Sequence, residues 1–311
     1  MVNCLVLGAN GFLGSHLVDS LADRGHYVRC FDRFKDNKTK FYNSSKVELY
    51  NGEFLNNKDL KSSIKDIDYV FHLISTTTPI SSSDNPAIEI ETNIRYSIEL
   101  FNICTQAKVK KVIYVSSGGA VYGDVNESVI NETVTPHPIS PYGIGKLTVE
   151  MFLDYYKHSC GLDSVVYRPS NPYGSRQSLS SRQGVIPIFL QQLLSSQPIN
   201  IYGDGSMVRD YIYVKDAMEM IATSFESSKS NLYNIGSGNG VSVNDLLPII
   251  TETTGLDINI NRLELPSTFV HKNILDTQRF ESEFGKPDLT SLEEGIKLTW
   301  EYISSELKRD Q

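Results

Sequence analysis

Apolar residues in the first half of the chain come in short unbroken runs that repeatedly give way to helical spacing. Val2, Cys4, Leu5, Val6 and Leu7 form one run, which breaks at Gly8; Leu13, Leu17 and Leu21 then recur about one helical turn apart. Further runs at 27–31, 68–73, 111–115 and 164–167 predict strands, and the segments 93–107 and 142–158 predict helices. Such alternation predicts an α/β fold, a parallel sheet with helices on both faces. Beyond residue 168 the texture changes to a polar stretch at 170–184, a helix near 186–195 and a turn at Gly203-Asp204-Gly205. The expected organisation is a sheet domain over 1–168 and a smaller lobe over 169–311, the lobe interleaved with late sheet elements from about 208–240. The polar patches 76–84 and 175–184 are expected to be mobile loops.

Composition narrows the function classes. The chain has 311 residues, 40% hydrophobic and 21% charged, which suits a globular protein with one large core or an α/β domain plus a lobe. A net charge of −8 without a basic block argues against nucleic-acid or anionic-membrane partners. No segment approaches the roughly 20 apolar residues of a membrane span, and the first run carries a glycine turn rather than a targeting pattern. Cys4, Cys30, Cys104 and Cys160 are widely spaced, so reduced thiols in a cytoplasmic protein are expected. The six histidines have no ligand spacing, and no metal is expected.

The break after the first run is Gly8-Ala9-Asn10-Gly11-Phe12-Leu13-Gly14, placed between a strand and a helix. In that context the glycines have separate jobs in binding a dinucleotide. Gly8 permits the turn, Gly11 lets backbone amides approach a pyrophosphate, and Gly14 lets the helix pack on the strand with its N-terminus toward the anion. The second strand ends at Asp32, whose carboxylate suits the adenosine ribose hydroxyls and repels a 2′-phosphate, favouring NAD over NADP. Arg33 beside it pulls the other way, toward adenine stacking or a phosphate.

Tyr142 and Lys146 lie four residues apart, on one face of a helix. An ammonium there is expected to hold the phenol partly ionised near neutral pH, an acid–base group for carbinol–carbonyl chemistry. Among seventeen tyrosines such a pair arises easily by chance, so its weight comes from company. Ser116-Ser117-Gly118-Gly119-Ala120-Val121-Tyr122-Gly123 follows the 111–115 strand directly. Carboxyl ends of strands are where doubly wound sheets bind ligands.

Taken in order, these landmarks resemble the extended short-chain dehydrogenase/reductases, and among them the nucleotide-sugar epimerases related to UDP-glucose 4-epimerase. Gly8, Gly11, Gly14 and Asp32, then His72-Leu73 and Asn93, the 116–123 loop, Tyr142 and Lys146, Asn171-Pro172-Tyr173-Gly174 and the segment 203–213 carry the resemblance over nearly the whole chain. It implies a Rossmann-like doubly wound domain holding NAD and an interleaved C-terminal lobe holding a nucleoside-diphosphate sugar. Tyr142, Lys146 and Ser117 would be catalytic. NAD would be contacted by Gly8, Asn10, Gly11, Phe12, Leu13, Gly14, Asp32 and Arg33. Farther along the chain, Glu53, Phe54, Leu73, Ser75, Asn93, Ser116 and Tyr167 would join Tyr142 and Lys146 around the cofactor. The sugar nucleotide would meet Thr76, Gly118, Gly119, Tyr142, Asn171, Val185, Ile201, Tyr202, Arg209 and Asn273. A homodimer built on the helices at 93–107 and 142–158 is implied by the same analogy.

The chain also departs from the family pattern. The catalytic Ser/Thr position falls on Gly118, leaving Ser117, one residue earlier, as the nearest hydroxyl. A second diphosphate-binding arginine is replaced by Pro266, with His271 and Lys272 as candidate substitutes. Asn273 aligns with the position that limits bulk at C2, and a side chain of that size would not obviously exclude an N-acetyl group. Gly119-Ala120 stands where related dehydratases have an acidic pair, which argues against 4,6-dehydration. Inversion at C4 through a transient 4-keto sugar is the leading expectation. The alternatives are an NAD(P)H-dependent 4-keto-6-deoxyhexose reductase and, from another class, a non-catalytic NAD-binding regulatory protein.

Overall fold

The computed structural model describes residues 1–35, 38–42, 44–178, 184–265 and 270–309, with side chains to residue 306. Pro266 and part of the 175–184 patch lie outside the described residues. The chain forms two compact units: Met1–Gly123 with Thr135–Arg168 and Met218–Tyr233, and Asp124–Val134 with Pro169–Ala217 and Asn234–Gln311. Among the described residues no helix is long and apolar enough to cross a membrane.

The first unit is built on β1 (Asn3–Leu7), α1 (Phe12–Asp23), β2 (Tyr27–Asp32), β3 (Val47–Asn51), α2 (Asn57–Ser63) and β4 (Tyr69–His72). It continues through α3 (Pro79–Asp84), a π-helical turn (Glu89–Ile94), α4 (Arg95–Ala107), β5 (Lys111–Val115), α5 (Gly118–Val121), α6 (Pro141–Cys160) and β6 (Ser164–Pro169). The sheet has seven strands, ordered from the Leu232–Ile235 edge strand through β6, β5, β4, β1 and β2 to β3. The pairings from β6 to β3 are all parallel. Strand order reverses between β1 and β4, and at such a switch point an open α/β sheet leaves a crevice beyond its carboxyl ends.

The apolar runs form strands because both sheet faces are covered. Leu5, Leu7, Val70, Val112 and Tyr114 pack with Leu60, Leu100, Phe101, Val149 and Leu153 in one buried cluster. Helix α6 starts where Ser140 accepts a hydrogen bond from the Gly143 amide with Pro141 in the first turn, and it stops at Gly161 in left-handed geometry. Its buried face includes Gly143, Lys146, Glu150 and Leu153, at helical spacing. The expected mobile loop at 76–84 is instead largely ordered. Thr78 and Ser81 form a reciprocal capping box that starts α3 at Pro79.

The second unit centres on the strand Val208–Tyr213, flanked in its sheet by Asn171–Tyr173, Gly240–Ser242 and Lys272–Asn273. A separate two-stranded ladder joins Ile199–Tyr202 to Ile260–Leu263. Helices Val185–Leu194, Val243–Thr254 and Leu292–Arg309 supply much of its apolar cluster, with Trp300 packed against it.

Backbone contact is tightest at the turn after β1. Gly8 has φ +88°, and a Cβ on Gly14 would stand 2.0 Å from the Gly8 carbonyl oxygen. Only a backbone shift could admit a side chain there. Gly14→Ala should therefore destabilise the chain by about 3 kcal/mol, measured by urea unfolding. An unchanged midpoint would contradict this packing.

Candidate active site

Helix α1 begins at Gly11 with no side chain capping its first turn. Its leading amides are thus arranged as an anion site rather than neutralised by the chain. Gly8 closes on the neighbouring strand's exit: a Cβ there would meet Ile74 Cγ1 at 3.1 Å, and the Leu73 amide donates to the Leu7 carbonyl at 3.1 Å. Asp32 accepts the Asn10 amide on Oδ2 at 2.8 Å and the Arg33 amide on Oδ1 at 2.7 Å. Each oxygen keeps a lone pair for a further donor. Asn10 ties the turn to the segment after β2, donating to the Lys38 carbonyl and accepting from the Lys40 amide. The uncapped helix, the glycine-spaced turn and the acid at the end of β2 fit a dinucleotide. Phe12 and Leu13 supply the first-turn amides, and Arg33 is exposed beside the acid.

At the end of β4, the Thr76 amide donates to Asn93 Oδ1 at 2.9 Å. The Asn93 side-chain amide donates to Thr77 Oγ1 at 2.9 Å and to Glu89 Oε2 at 2.8 Å, and Thr77 also donates to Glu89. Ser75 closes the loop on the Thr77 carbonyl at 2.9 Å. Asn93 therefore pins the chain between β4 and α3 from inside. Ser97 donates to the Asn93 carbonyl at 2.6 Å, so the 2.8 Å contact between Ser97 Oγ and His72 Nε2 must have the imidazole as donor. Burial, reinforced by the Lys146 charge, pushes the His72 pKa down to about 3.

At the end of β5, successive serines diverge. Ser116 donates to Glu150, which is doubly bridged by Arg168 (Nε to Oε1 at 3.1 Å and Nη2 to Oε2 at 2.5 Å). The Arg168 guanidinium in turn lies 4.8 Å from the Tyr122 ring centroid. Ser116 is thus committed to the core, which argues against a side-chain contact with a cofactor. Ser117 begins α5 without a side-chain capping bond and is half-buried. Helix α6 reaches this loop because a Cβ on Gly143 would lie 2.5 Å from the Ala120 carbonyl oxygen. Tyr142, Ser117, Gly118 and Gly119 are thereby brought to neighbouring elements.

Lys146 is buried and donates to the Val115 carbonyl at 3.1 Å, with its Nζ 5.0 Å from the Tyr114 ring centroid and 5.7 Å from that of Tyr142. Desolvation lowers its pKa to about 8 against the opposing fields of Glu89 and Glu150. The expected partly ionised phenol is not what this arrangement produces. Burial first, and the Glu89 carboxylate second, push the Tyr142 phenol up.

Three other residues expected at the ligands have buried side chains. The Tyr167 ring is 0% exposed, bonded to Ser224 Oγ at 2.7 Å and stacked on Tyr233, so only its main chain remains for a ligand. Phe54 is buried in the core against the His72 and Tyr96 rings, while Glu53 beside it is exposed. Ile201 is buried in the second unit's apolar cluster, which likewise removes its side chain from contact.

In the second unit, Asn171 donates to the Asp210 carbonyl at 3.0 Å, in the strand paired with its own. Arg209 donates to the carbonyls of Val208 at 2.9 Å and Val270 at 2.6 Å, and it is in no ion pair among the described residues. The acids beside it in the chain are occupied: Asp204 accepts from Ser206, and Asp210 from Ser237, Gly238 and Leu275, while the field of Asp124 acts on Arg209 without an ion pair among the described residues. A guanidinium that burial desolvates and that is hydrogen-bonded to carbonyls rather than to a carboxylate suits an incoming anion. Asn273 is buried in register with Arg209. Tyr202 is exposed and Val185 half-buried at a helix start; His271 and Lys272 are both exposed.

Residues 4–236 match the NAD dependent epimerase/dehydratase family. The chain belongs to that family. Among solved structures, UDP-glucose 4-epimerase of Thermotoga maritima with UDP-glucose is 36% identical, with a TM-score of 0.92 over 98% of this chain and 99% of that one. UDP-N-acetylglucosamine 4-epimerase of Methanobrevibacter ruminantium, in complex with UDP-N-acetylmuramic acid, is 32% identical at a TM-score of 0.91, covering 98% and 99%. A curated relative, UDP-glucose 4-epimerase of Mycolicibacterium smegmatis, is 30% identical across 96% of this chain and 97% of its own. Membership in this NAD-dependent family agrees with the fit of the turn after β1.

The neutral His72 gives a pH signature with a definite sign. Its folded pKa is depressed, so the unfolded chain takes up a proton first as pH falls. The stability tied to neutral His72 is complete above about 6.5 and is lost as pH falls toward about 3. The stability difference between wild type and His72→Gln should shrink by roughly 1.4 kcal/mol per pH unit across that window; a pH-independent difference would contradict the burial.

Proposed function

We propose that the chain is an NAD-dependent nucleotide-sugar 4-epimerase acting on a UDP-hexose or UDP-N-acetylhexosamine. The observation that carries this is the placement of Tyr142 and Lys146 against the carboxyl end of β5, beside the switch point where the cofactor turn lies. NAD, when bound, supplies the reversible two-electron acceptor for the sugar's C4 and a positive ring that favours the phenolate. Tyr142 takes the proton of the 4-hydroxyl as C4 is oxidised and returns it when the 4-keto sugar is reduced on its opposite face. Lys146, mostly protonated at neutral pH, opposes the negative charge that develops on Tyr142. Ser117 is the hydroxyl assigned to the reacting oxygen in place of the family residue at Gly118. Asn171 and Arg209 are assigned to the diphosphate, the charge-assisted bonds of Arg209 fixing one end while the sugar turns over. Thr76, Gly118 and Gly119 are assigned to the pyranose.

Relatives at 30–36% identity carry 4-epimerase names, which leaves the 4-keto reductase reading less supported. The retained Tyr142 and Lys146 weigh against a purely regulatory NAD-binding role. A homodimer through α4 and α6 is supported by an apolar stripe on α6. Ile144, Met151 and Tyr155 are 52%, 66% and 56% exposed along one face.

The purified protein, given UDP-hexoses and UDP-N-acetylhexosamines without added coenzyme, should interconvert C4 epimers detected by NMR. A requirement for stoichiometric NAD(P)H would overturn the assignment. Tyr142→Phe should retain bound NAD and lose at least ~100-fold in rate. Light scattering should give twice the 34.9 kDa chain mass, falling toward the monomer mass in Met151→Lys; a monomeric wild type would remove the dimer reading.

A further inference from the structure

The π-helical turn before α4 buries a carboxylate that the proposed reaction leaves without a role. Glu89 is 4% exposed and is held by Thr77 Oγ1 and by the Asn93 side-chain amide at 2.8 Å. On its other side is Gly145, between the two catalytic side chains. A Cβ built on Gly145 would lie 2.5 Å from Glu89 Oε2, so the glycine is the space the carboxylate fills. Glu89 lines one small cavity with His72, Asn93, Tyr114, Gly145 and Lys146. Single π-turns of this kind are uncommon and cluster at functional sites.

Filling that space would need only an apolar or amide side chain. A buried carboxylate with no ion pair in hydrogen-bonding reach is disfavoured unless its field is used. The other groups facing the cavity are otherwise accounted for. His72 on β4 is neutral, and Tyr114 on β5 is a buried phenol pushed well up by desolvation. Glu150, one turn along α6 from Lys146, is matched by Arg168 on β6. Glu89 alone lacks a direct counter-cation among these groups, with Lys146 the cation across the cavity.

The geometry points to Glu89 as a positioning residue for the proposed epimerase chemistry: from the space left by Gly145, beside the cavity that Lys146 also lines, its charge sets the state of the Tyr142–Lys146 pair, holding Lys146 as an ammonium and Tyr142 as a neutral phenol until a bound ligand brings positive charge. The direction of its field agrees, since it opposes the loss of the Lys146 proton and the ionisation of Tyr142 alike. Removing the carboxylate charge eases ionisation of the phenol and loosens the ammonium's proton. Both titrations then move to lower pH together.

The test uses the protein as purified, with its coenzyme bound and no nucleotide sugar, so it needs no turnover and is separate from whether any nucleotide sugar is epimerised. Tyr142 is followed by 13Cζ-tyrosine NMR, assigned by its absence in Tyr142→Phe. In Glu89→Gln the Tyr142 ionisation constant should rise roughly tenfold, one pH unit down, with Glu89→Asp in between. In active enzyme the pH–rate profile should move toward acid in the same order. Should Glu89→Gln not fold, Gly145→Ala, whose methyl displaces the same carboxylate, should show the same downward shift. An unmoved Tyr142 titration in a folded variant, with stability alone reduced, would reduce Glu89 to space-filling and overturn the proposal.

Discussion

A lysine ammonium desolvated at the carboxyl end of β5 is the constraint around which the chemistry of the first unit is arranged. Lys146 receives one carbonyl, from Val115, and two aromatic faces in exchange for water. Those contacts do not balance its charge, and burial pulls its proton affinity down. Two carboxylates act against that pull. Each then needs support of its own: Glu150 is bridged by Arg168 and bonded by Ser116, and Glu89 is bonded by Thr77 and Asn93. The buried polar network is thus the consequence of placing one cation on a buried helix face that would ordinarily carry leucine.

Glycines in this unit follow from the same requirement for close approach. Gly143 brings α6 onto the loop after β5, and Gly145 leaves room for the Glu89 carboxylate. Gly14 seats α1 on the turn after β1, where uncapped amides wait for an anion. In the second unit, a guanidinium hydrogen-bonded to carbonyls among the described residues keeps its charge available. Both units therefore offer donors suited to a phosphorylated ligand among the described residues, in agreement with membership in an NAD dependent family. Family membership gives that chemistry its form.

The strands were legible because a sheet covered on both faces demands continuous apolar runs, and β5 occupies the very residues, Lys111–Val115, that the run predicts. Helix α6 was legible from the face that Tyr142 and Lys146 share, although its start at Pro141 and its end at Cys160 lie beyond the expected 142–158. The π-turn was not. Its inward residues are Glu89 and Asn93, and a run written Ile-Glu-Ile-Glu-Thr-Asn has the polarity of a solvated surface. Helix α3 had a local signal, the Thr78 and Ser81 box, outweighed by the polar composition around it. Side-chain direction was the harder problem. Tyr167 and Ile201 sit in the segments expected to meet ligand, yet both rings and branches turn into cores. The charge balance at Tyr142 was invisible too, since it depends first on burial and then on a carboxylate more than fifty residues away in the chain.

The central claim is that one carbon of a sugar is oxidised and re-reduced inside the protein, with Tyr142 moving only the hydroxyl proton. Deuterium placed on C4 of a UDP-hexose follows that carbon directly. The account predicts that both epimers recovered after equilibration in ordinary water retain the label at C4. Loss of deuterium from C4 to the solvent would contradict it.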